Sequence, residues 1–199
     1  MFGKNPEGMT DKLSRSVVAV AGCGGIGSNA AVSLVRAGIG ELIIADMDII
    51  EASNLNRQYF FADEIGLKKV FTLKSRLNSI NQDCRITAYN VEIVREDVKK
   101  LFGAADILIE AFDNAESKQW LIEEWASLYP DRPVVSGNGL SGYGNFESIK
   151  IRRSGNIYFC GDGTSELADG LCSARVAIIS NIQANLAIEL LMKIKEAAV

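Results

Sequence analysis

A chain of 199 residues, 48% of them hydrophobic, is long enough to bury one sizeable α/β core, and a single domain over residues 1–199 is expected. The net charge of −4 argues against a nucleic-acid surface, and the absence of histidine removes Ser-His and Cys-His triads along with the commonest general base. No apolar run reaches the ~20 residues that span a bilayer, and residues 1–10 are polar with no signal-peptide core, so a cytoplasmic protein with no membrane partner is expected.

Residues 17–21 form an apolar β-type run that empties into Gly22-Cys23-Gly24-Gly25-Ile26-Gly27 and then into a helical pattern. Gly22 permits a tight strand-to-helix turn, Gly24 and Gly25 let backbone N–H groups approach a phosphate, and Gly27 lets the helix pack on the sheet. The N-terminus of that helix favours an anion. Taken on the glycines alone, this predicts a nicotinamide or flavin dinucleotide site. A second strand, residues 41–45, ends in Asp46, where a carboxylate accepts ribose hydroxyls.

Residues 63–80 read as a helix with Leu67, Val70, Leu73 and Leu77 on one face. Residues 85–94 contain a strand, 96–102 a short helix, and 106–111 a core strand that ends at Asp113-Asn114. A helix over 117–129 is stopped by Pro130. The strand 133–136 follows and runs into the glycine-rich stretch 137–144. Antiparallel strands over 145–152 and 156–159, a loop over 160–171 and a long amphipathic helix to about residue 196 complete the chain. The expected fold is an α/β, doubly wound, Rossmann-like and mostly parallel sheet, with antiparallel strands toward the C-terminal end and a long last helix.

A dehydrogenase needs nothing like Ser53-Asn54-Leu55-Asn56-Arg57-Gln58 after its acidic strand end. With the glycine loop and Asp46, this segment closely resembles the ThiF/MoeB/HesA family, bacterial relatives of ubiquitin-activating enzymes. The resemblance runs from about Ser16 to the last helix and is strongest over residues 22–58. It implies ATP-dependent adenylation of the C-terminal glycine of a small ubiquitin-like sulfur carrier protein ending in Gly-Gly, with thiamine biosynthesis as the favoured pathway. Activation of the molybdopterin synthase carrier is the nearest alternative. An NAD-dependent oxidoreductase and a non-catalytic adenylate-binding scaffold are the readings from other classes.

Adenylation suits this composition. The acceptor carboxylate is already ionised and nucleophilic, so no general base is needed, whereas cations and a metal must offset charge on the phosphoryl groups. By the resemblance, Arg57 and Lys69 bind the ATP phosphates, with Lys68 as the neighbouring alternative, and Asp113 holds Mg²⁺. Gly22, Gly24, Gly25, Gly27 and Asp46 bind the nucleotide. Asn54 either bonds phosphate or ribose or serves an Asx turn, and Asp48 is either a second contact or a turn carboxylate.

The chain has four cysteines, Cys23, Cys84, Cys160 and Cys172, with no Cys-x-x-Cys. The family's zinc-binding pairs are therefore missing, and no zinc is expected. Cys172 lies in the region where several members carry a cysteine that forms a covalent acyl link to the carrier. Its register to Gln183-Ala184 sits several residues too close to the helix, which favours a small buried hydrophobe instead. Arg15 stands too close to the first strand to serve as the arginine that relatives pass into a partner subunit. A homodimer is expected from Gly38-Ile39-Gly40 and from the apolar last helix through Val176, Ile179, Ile182, Leu186 and Leu190.

Overall fold

A computed structural model of the chain describes residues 1–194. Its strands are β1 (Val17–Ala21), β2 (Glu41–Ala45), β3 (Arg85–Tyr89), β4 (Ile107–Glu110), β5 (Val134–Gly137), β6 (Lys150–Ser154) and β7 (Ile157–Gly161). Its helices are α1 (Met9–Ser14), α2 (Gly25–Ala37), α3 (Lys69–Ile80), α4 (Val98–Phe102), α5 (Ala115–Leu128) and α6 (Ser173–Lys193). The strands form one seven-stranded sheet in the order β3-β2-β1-β4-β5-β7-β6. Pairing is parallel throughout except between β6 and β7, and β7 itself runs parallel to β5. The antiparallel character expected of both C-terminal strands thus belongs to β6 alone, the edge strand.

Strand alternation divides the core into two layers. Val18, Val20, Leu42, Ile44, Ile107 and Ile109 face a cluster built with Leu13, Leu34, Leu73, Val176 and Ile179. Ala19, Ala21, Ile43 and Leu108 face Phe102, Leu121 and Trp125 on the other side. Trp125 is fully buried, and its indole N–H donates to the Arg132 carbonyl at 3.2 Å. Helix α6 is long and apolar enough, by composition, to cross a membrane; in this fold Val176, Ile179, Ala184, Ala187 and Leu191 on it are buried in the core.

Three expectations are corrected. Residues 63–80 are not one helix: a 3-10 turn at Ala62–Glu64 is followed by Gly66 at φ +89, and α3 begins only at Lys69. Leu67 is therefore 52% exposed, and its carbonyl accepts the Ile50 N–H at 2.9 Å instead of sitting on a helix face. Residues 145–149 are not strand, because Asn145 at φ +48 turns the chain into a 3-10 segment at Phe146–Ser148. Finally, most of the apolar residues expected to pair two subunits pack within the chain, Ile182 and Leu190 being only partly buried. Ile39 is buried, a Cβ on Gly40 would stand 1.9 Å from the Ser14 carbonyl, and Val176, Ile179 and Leu186 are core. Phe61, Ile65, Leu67 and Phe71 are among the exposed apolar side chains. The end of the last predicted helix, beyond residue 194, falls outside the described residues.

Candidate functional site

The carboxyl ends of β1, β2, β4 and β5 open into one cavity of about 1050 Å³. This is the place where a doubly wound sheet collects ligands, at the point where the strand order reverses. Its floor is the β1–α2 turn. Gly22 has φ +99, and a Cβ there would stand 2.8 Å from the Ala111 carbonyl oxygen; a Cβ on Gly27 would stand 1.8 Å from the Gly22 oxygen. Both positions exclude a side chain, one by conformation and close approach, the other by packing. Gly24 and Gly25 line the cavity at the N-terminus of α2, whose first N–H groups have no partner within the helix.

Asp46 braces this loop. Its Oδ2 accepts the Cys23 N–H at 2.6 Å and its Oδ1 accepts the Asp48 N–H at 2.7 Å. Each oxygen keeps a lone pair for a ribose hydroxyl. Burial raises the Asp46 carboxyl above its ordinary pKa, with the two backbone donors and Lys69 pulling it back. Cys23 is fully buried, and burial, followed by the charge of Asp46, pushes its thiol well above the usual range. Burial likewise takes Cys84 to about 11 and Cys160 to about 12, so neither supplies a thiolate near neutral pH.

Of the two adjacent lysines, the fold separates the roles by direction. Lys69, the first residue of α3, is 6% exposed, lines the cavity and pairs with Asp48 Oδ2 at 2.8 Å. Lys68 turns away and donates to the Met47 carbonyl at 3.1 Å. Asp48 is thus the partner of Lys69 rather than only a turn carboxylate. Arg57 also lines the cavity, with its stem against Gly25 and its Nη1 donating to the Ser53 carbonyl at 2.9 Å and to Asn56 Oδ1 at 2.8 Å. Asn54 lies elsewhere: its Oδ1 accepts the Glu51 N–H at 3.1 Å in a capped 3-10 turn, and it is not part of the lining. Its carbonyl oxygen thus serves the turn, and its Nδ2 reaches Ser53 Oγ at 3.5 Å.

Asp113 sits past the end of β4, exposed to the cavity, with no hydrogen bond or ion pair among the described residues. The neighbouring Asn114 takes the capping duty for α5, its Oδ1 accepting the Ser117 N–H at 3.0 Å. That division leaves both Asp113 oxygens available, which suits a hard cation held by one carboxylate and by phosphate oxygens. No group of three or more metal-ligating side chains comes together among the described residues. Arg15 pairs with Asp11 at 2.7 Å beside α1.

The far wall of the cavity is the glycine-rich stretch from Gly137 to Ser141, faced by Ser165, Glu166, Leu167 and Leu171 of the 160–171 loop. The two are tied together by the Gly142 N–H to the Gly170 carbonyl at 2.8 Å. Cys172 follows this loop as the residue before α6. It is exposed, not buried as its register favoured, and it does not itself line the cavity.

Sequence reasoning missed two charged groups. Asp162 and Arg175 form a buried pair at 2.6 Å, and Arg175 Nη1 donates to the Gly144 carbonyl at 2.8 Å. Burial works against charge on Asp162, yet the Ser165 and Thr164 N–H groups and the Arg175 guanidinium hold its carboxyl well below the usual range. The second group is Glu110, wholly buried at the end of β4. It meets Lys118 of α5 and accepts the Ser136 hydroxyl at 2.7 Å. A glutamate closing an Ile-Leu-Ile run was the visible signal for that group.

The family model described as ThiF family matches residues 2–199. The chain is 34% identical over 136 residues to the sulfur carrier protein ThiS adenylyltransferase of Bacillus subtilis, covering 67% of this chain and 40% of that protein. It is 35% identical over 131 residues to the tRNA threonylcarbamoyladenosine dehydratase of the same organism, covering 65% of this chain and 51% of that one. Across the curated relatives it matches, the chain spans about half of their length or less. The crystal structure of the E. coli tRNA dehydratase in complex with ATP shares the fold with a TM-score of 0.83 at 23% identity, covering 94% of this chain and 90% of that one. With a glycine loop braced by Asp46, an Arg57–Lys69 pair of cavity cations and a match over nearly its whole length, the chain belongs to the ThiF family.

Proposed function

We propose that this chain uses ATP to adenylate a carboxylate, and that its acceptor is the C-terminal glycine of a small ubiquitin-like sulfur carrier protein ending in Gly-Gly. The observation that carries this reading is the meeting of Arg57, Lys69 and the unpartnered Asp113 around the glycine loop in one cavity. Ribose is held at Asp46, the triphosphate lies along the N-terminus of α2 against Arg57 and Lys69, and the carrier's tail follows the stretch from Gly137 to Ser141. Asp113 would hold Mg²⁺, which supplies charge neutralisation on the phosphate oxygens when bound.

A carboxylate oxygen of the acceptor attacks the α-phosphorus, the bond to the β-phosphate oxygen breaks, and pyrophosphate leaves with the electron pair. No proton moves, so a site without histidine is adequate. Arg57 and Lys69 stabilise charge on the departing pyrophosphate from fixed positions, which lowers the barrier without reorganisation.

Thiamine biosynthesis is the pathway favoured here, on the likeness to the ThiS adenylyltransferase, with a molybdopterin-type carrier as the alternative. The likeness to a tRNA threonylcarbamoyladenosine dehydratase keeps a second acceptor in view, the carboxylate of a threonyl group on a nucleoside. The net charge of −4 counts against a tRNA partner. Calorimetry with ATP·Mg²⁺ and with NAD, followed by ATP–pyrophosphate exchange with ThiS-type and molybdopterin-type carriers and with modified tRNA, tests the reading. Exchange that depends on a carrier supports it; tighter binding of NAD than of ATP overturns it.

A further inference from the structure

Among the described residues the cavity lining holds one cation besides Arg57 and Lys69, and it lies on a different wall. Lys118, on the second turn of α5, meets Glu110 Oε2, and its Nζ stands 3.4 Å from the Ser136 hydroxyl. Glu110 ends β4 opposite Ser136 of β5 in the sheet register, so the ammonium sits over the β4–β5 junction. Arg57 lies instead with its stem on Gly25, over the end of β1.

Along the carboxyl edge of the sheet the order is β2, β1, β4, β5. Asp46 follows β2, the glycine loop follows β1, Asp113 follows β4, and the glycine-rich wall begins at the end of β5. A nucleotide lying from Asp46 across the glycine loop presents its phosphates toward β4. An acceptor arriving along Gly137 comes from the β5 side. Lys118 is the cation between the two.

Its surroundings fix it there. Glu110 has no exposed surface, its Oε1 accepts the Phe112 N–H at 2.7 Å, and its Oε2 accepts the Ser136 hydroxyl at 2.7 Å, so the carboxylate cannot swing away. An ammonium has three N–H donors, and with Glu110 and Ser136 taken the third remains for the cavity, where the Lys118 side chain keeps 22% of its surface. Attack of a carboxylate on a phosphate brings two anions into contact, and a preorganised cation at that junction removes their repulsion. We propose that Lys118 binds the acceptor's carboxylate and holds it beside the α-phosphate, with Glu110 and Ser136 as positioning residues for its ammonium. This assignment rests on the adenylation reading. It adds to that reading the site for the acceptor's charged end.

The test compares the full-length wild type with Lys118→Gln and Lys118→Arg. The probes are a ThiS-type carrier protein ending in Gly-Gly and its C-terminal amide, with binding measured by calorimetry in the presence of a non-hydrolysable ATP analogue and Mg²⁺. Wild type should bind the free acid about tenfold more tightly than the amide, the scale of one charge-assisted hydrogen bond. Lys118→Gln should bind both forms alike, keep its affinity for the ATP analogue within about twofold, and raise the acceptor KM in pyrophosphate exchange; Lys118→Arg should restore part of the acid preference. An acid preference retained in Lys118→Gln overturns the assignment, as does an equal loss of nucleotide affinity, which would mark the lysine as part of the fold or of the phosphate site. Absence of exchange by the wild type with every carrier overturns the adenylation reading and this assignment with it.

Discussion

The ammonium of Lys69 lies 2.8 Å from Asp48 Oδ2, with the lysine side chain 8% exposed and the aspartate 54% exposed. A buried cation needs a partner, and a half-exposed carboxylate supplies one without sealing the cavity. Replacing Lys69 by Ala should lower ATP–pyrophosphate exchange by about a hundredfold, the scale of one lost phosphate-charge contact. Asp48→Asn should cost about 0.2–1 kcal/mol of stability, because solvent screens the exposed partner, and should raise the KM for ATP through loss of Lys69 orientation. Exchange at the wild-type rate in Lys69→Ala would remove it from the site.

Arg57→Ala and Asp113→Ala should each abolish adenylation while leaving the melting temperature unchanged. Asp113 is exposed and has no partner among the described residues, and Arg57, half-buried, donates only to the Ser53 carbonyl and to Asn56 of its own segment, so neither loss should unfold the chain. In the proposed reaction each acts on charge at the transferring phosphates, where removal costs about 3 kcal/mol or more of transition-state stabilisation. Carrier-dependent exchange near wild-type rates in either variant contradicts the assignment, and circular dichroism melts check that the fold is kept.

What the sequence revealed and what it hid divide by chain separation. The glycine loop and Asp46 were legible because strand, turn and helix are contiguous, and the loop's glycines are required by contacts with the Ala111 and Gly22 carbonyls. Lys69 and Asp113 were legible through their register to neighbouring motifs. Glu110, Lys118 and Ser136 were not, since they meet only after β4, α5 and β5 are laid side by side. Leu67 fitted a helical period, but Gly66 and the pairing of the segment with Ile50 decided its conformation. Asn54, expected as a ligand or a turn residue, lies outside the cavity lining with its Oδ1 accepting the Glu51 N–H, a placement set by the local 3-10 turn.

The Asp162–Arg175 pair predicts an acid-side effect. A carboxyl whose pKa is held below its unfolded value of about 3.9 contributes stability that is full above that value and is lost as pH falls toward the folded pKa. Asp162→Asn should therefore be less stable than wild type at pH 7, by about 3–5 kcal/mol for a broken buried pair. The difference between the two should narrow as the pH falls below ~4. Denaturant melts at pH 7, 5, 4 and 3 measure this, and a difference independent of pH contradicts the assignment. Because Arg175 also holds the Gly144 carbonyl, the variant should bind carrier more weakly than ATP.

A homodimer is proposed on the exposed patch of Phe61, Ile65, Leu67 and Phe71, each about half exposed at the turn before α3 and in its first residues. Four half-exposed apolar side chains within eleven residues suit an interface. Light scattering at micromolar concentration should give twice the chain mass, and Leu67→Asp with Phe71→Asp should give a monomer. A wild-type monomer refutes the proposal. Elemental analysis of the same sample should find no stoichiometric zinc; one zinc per chain contradicts the reading of Cys84 and Cys160 as buried thiols.

On the adenylation proposal, Cys172 bears on whether the reaction stops at the acyl adenylate. Attack of a carboxylate on the α-phosphate uses no thiol, so Cys172→Ser should exchange pyrophosphate at the wild-type rate. The thiol is exposed at the residue before α6, so the substitution should change stability by less than about 0.5 kcal/mol, as surface changes do. Cys172 directly follows Leu171, which lines the cavity. With ATP and carrier present, wild type should form a conjugate that a thiol reductant or hydroxylamine releases, and Cys172→Ser should form none. Sulfur delivery at the wild-type rate by the variant confines Cys172 to the surface. Loss of exchange together with loss of delivery would instead mean that the substitution disturbs the 160–171 loop, which a melt and an ATP titration of the same variant distinguish.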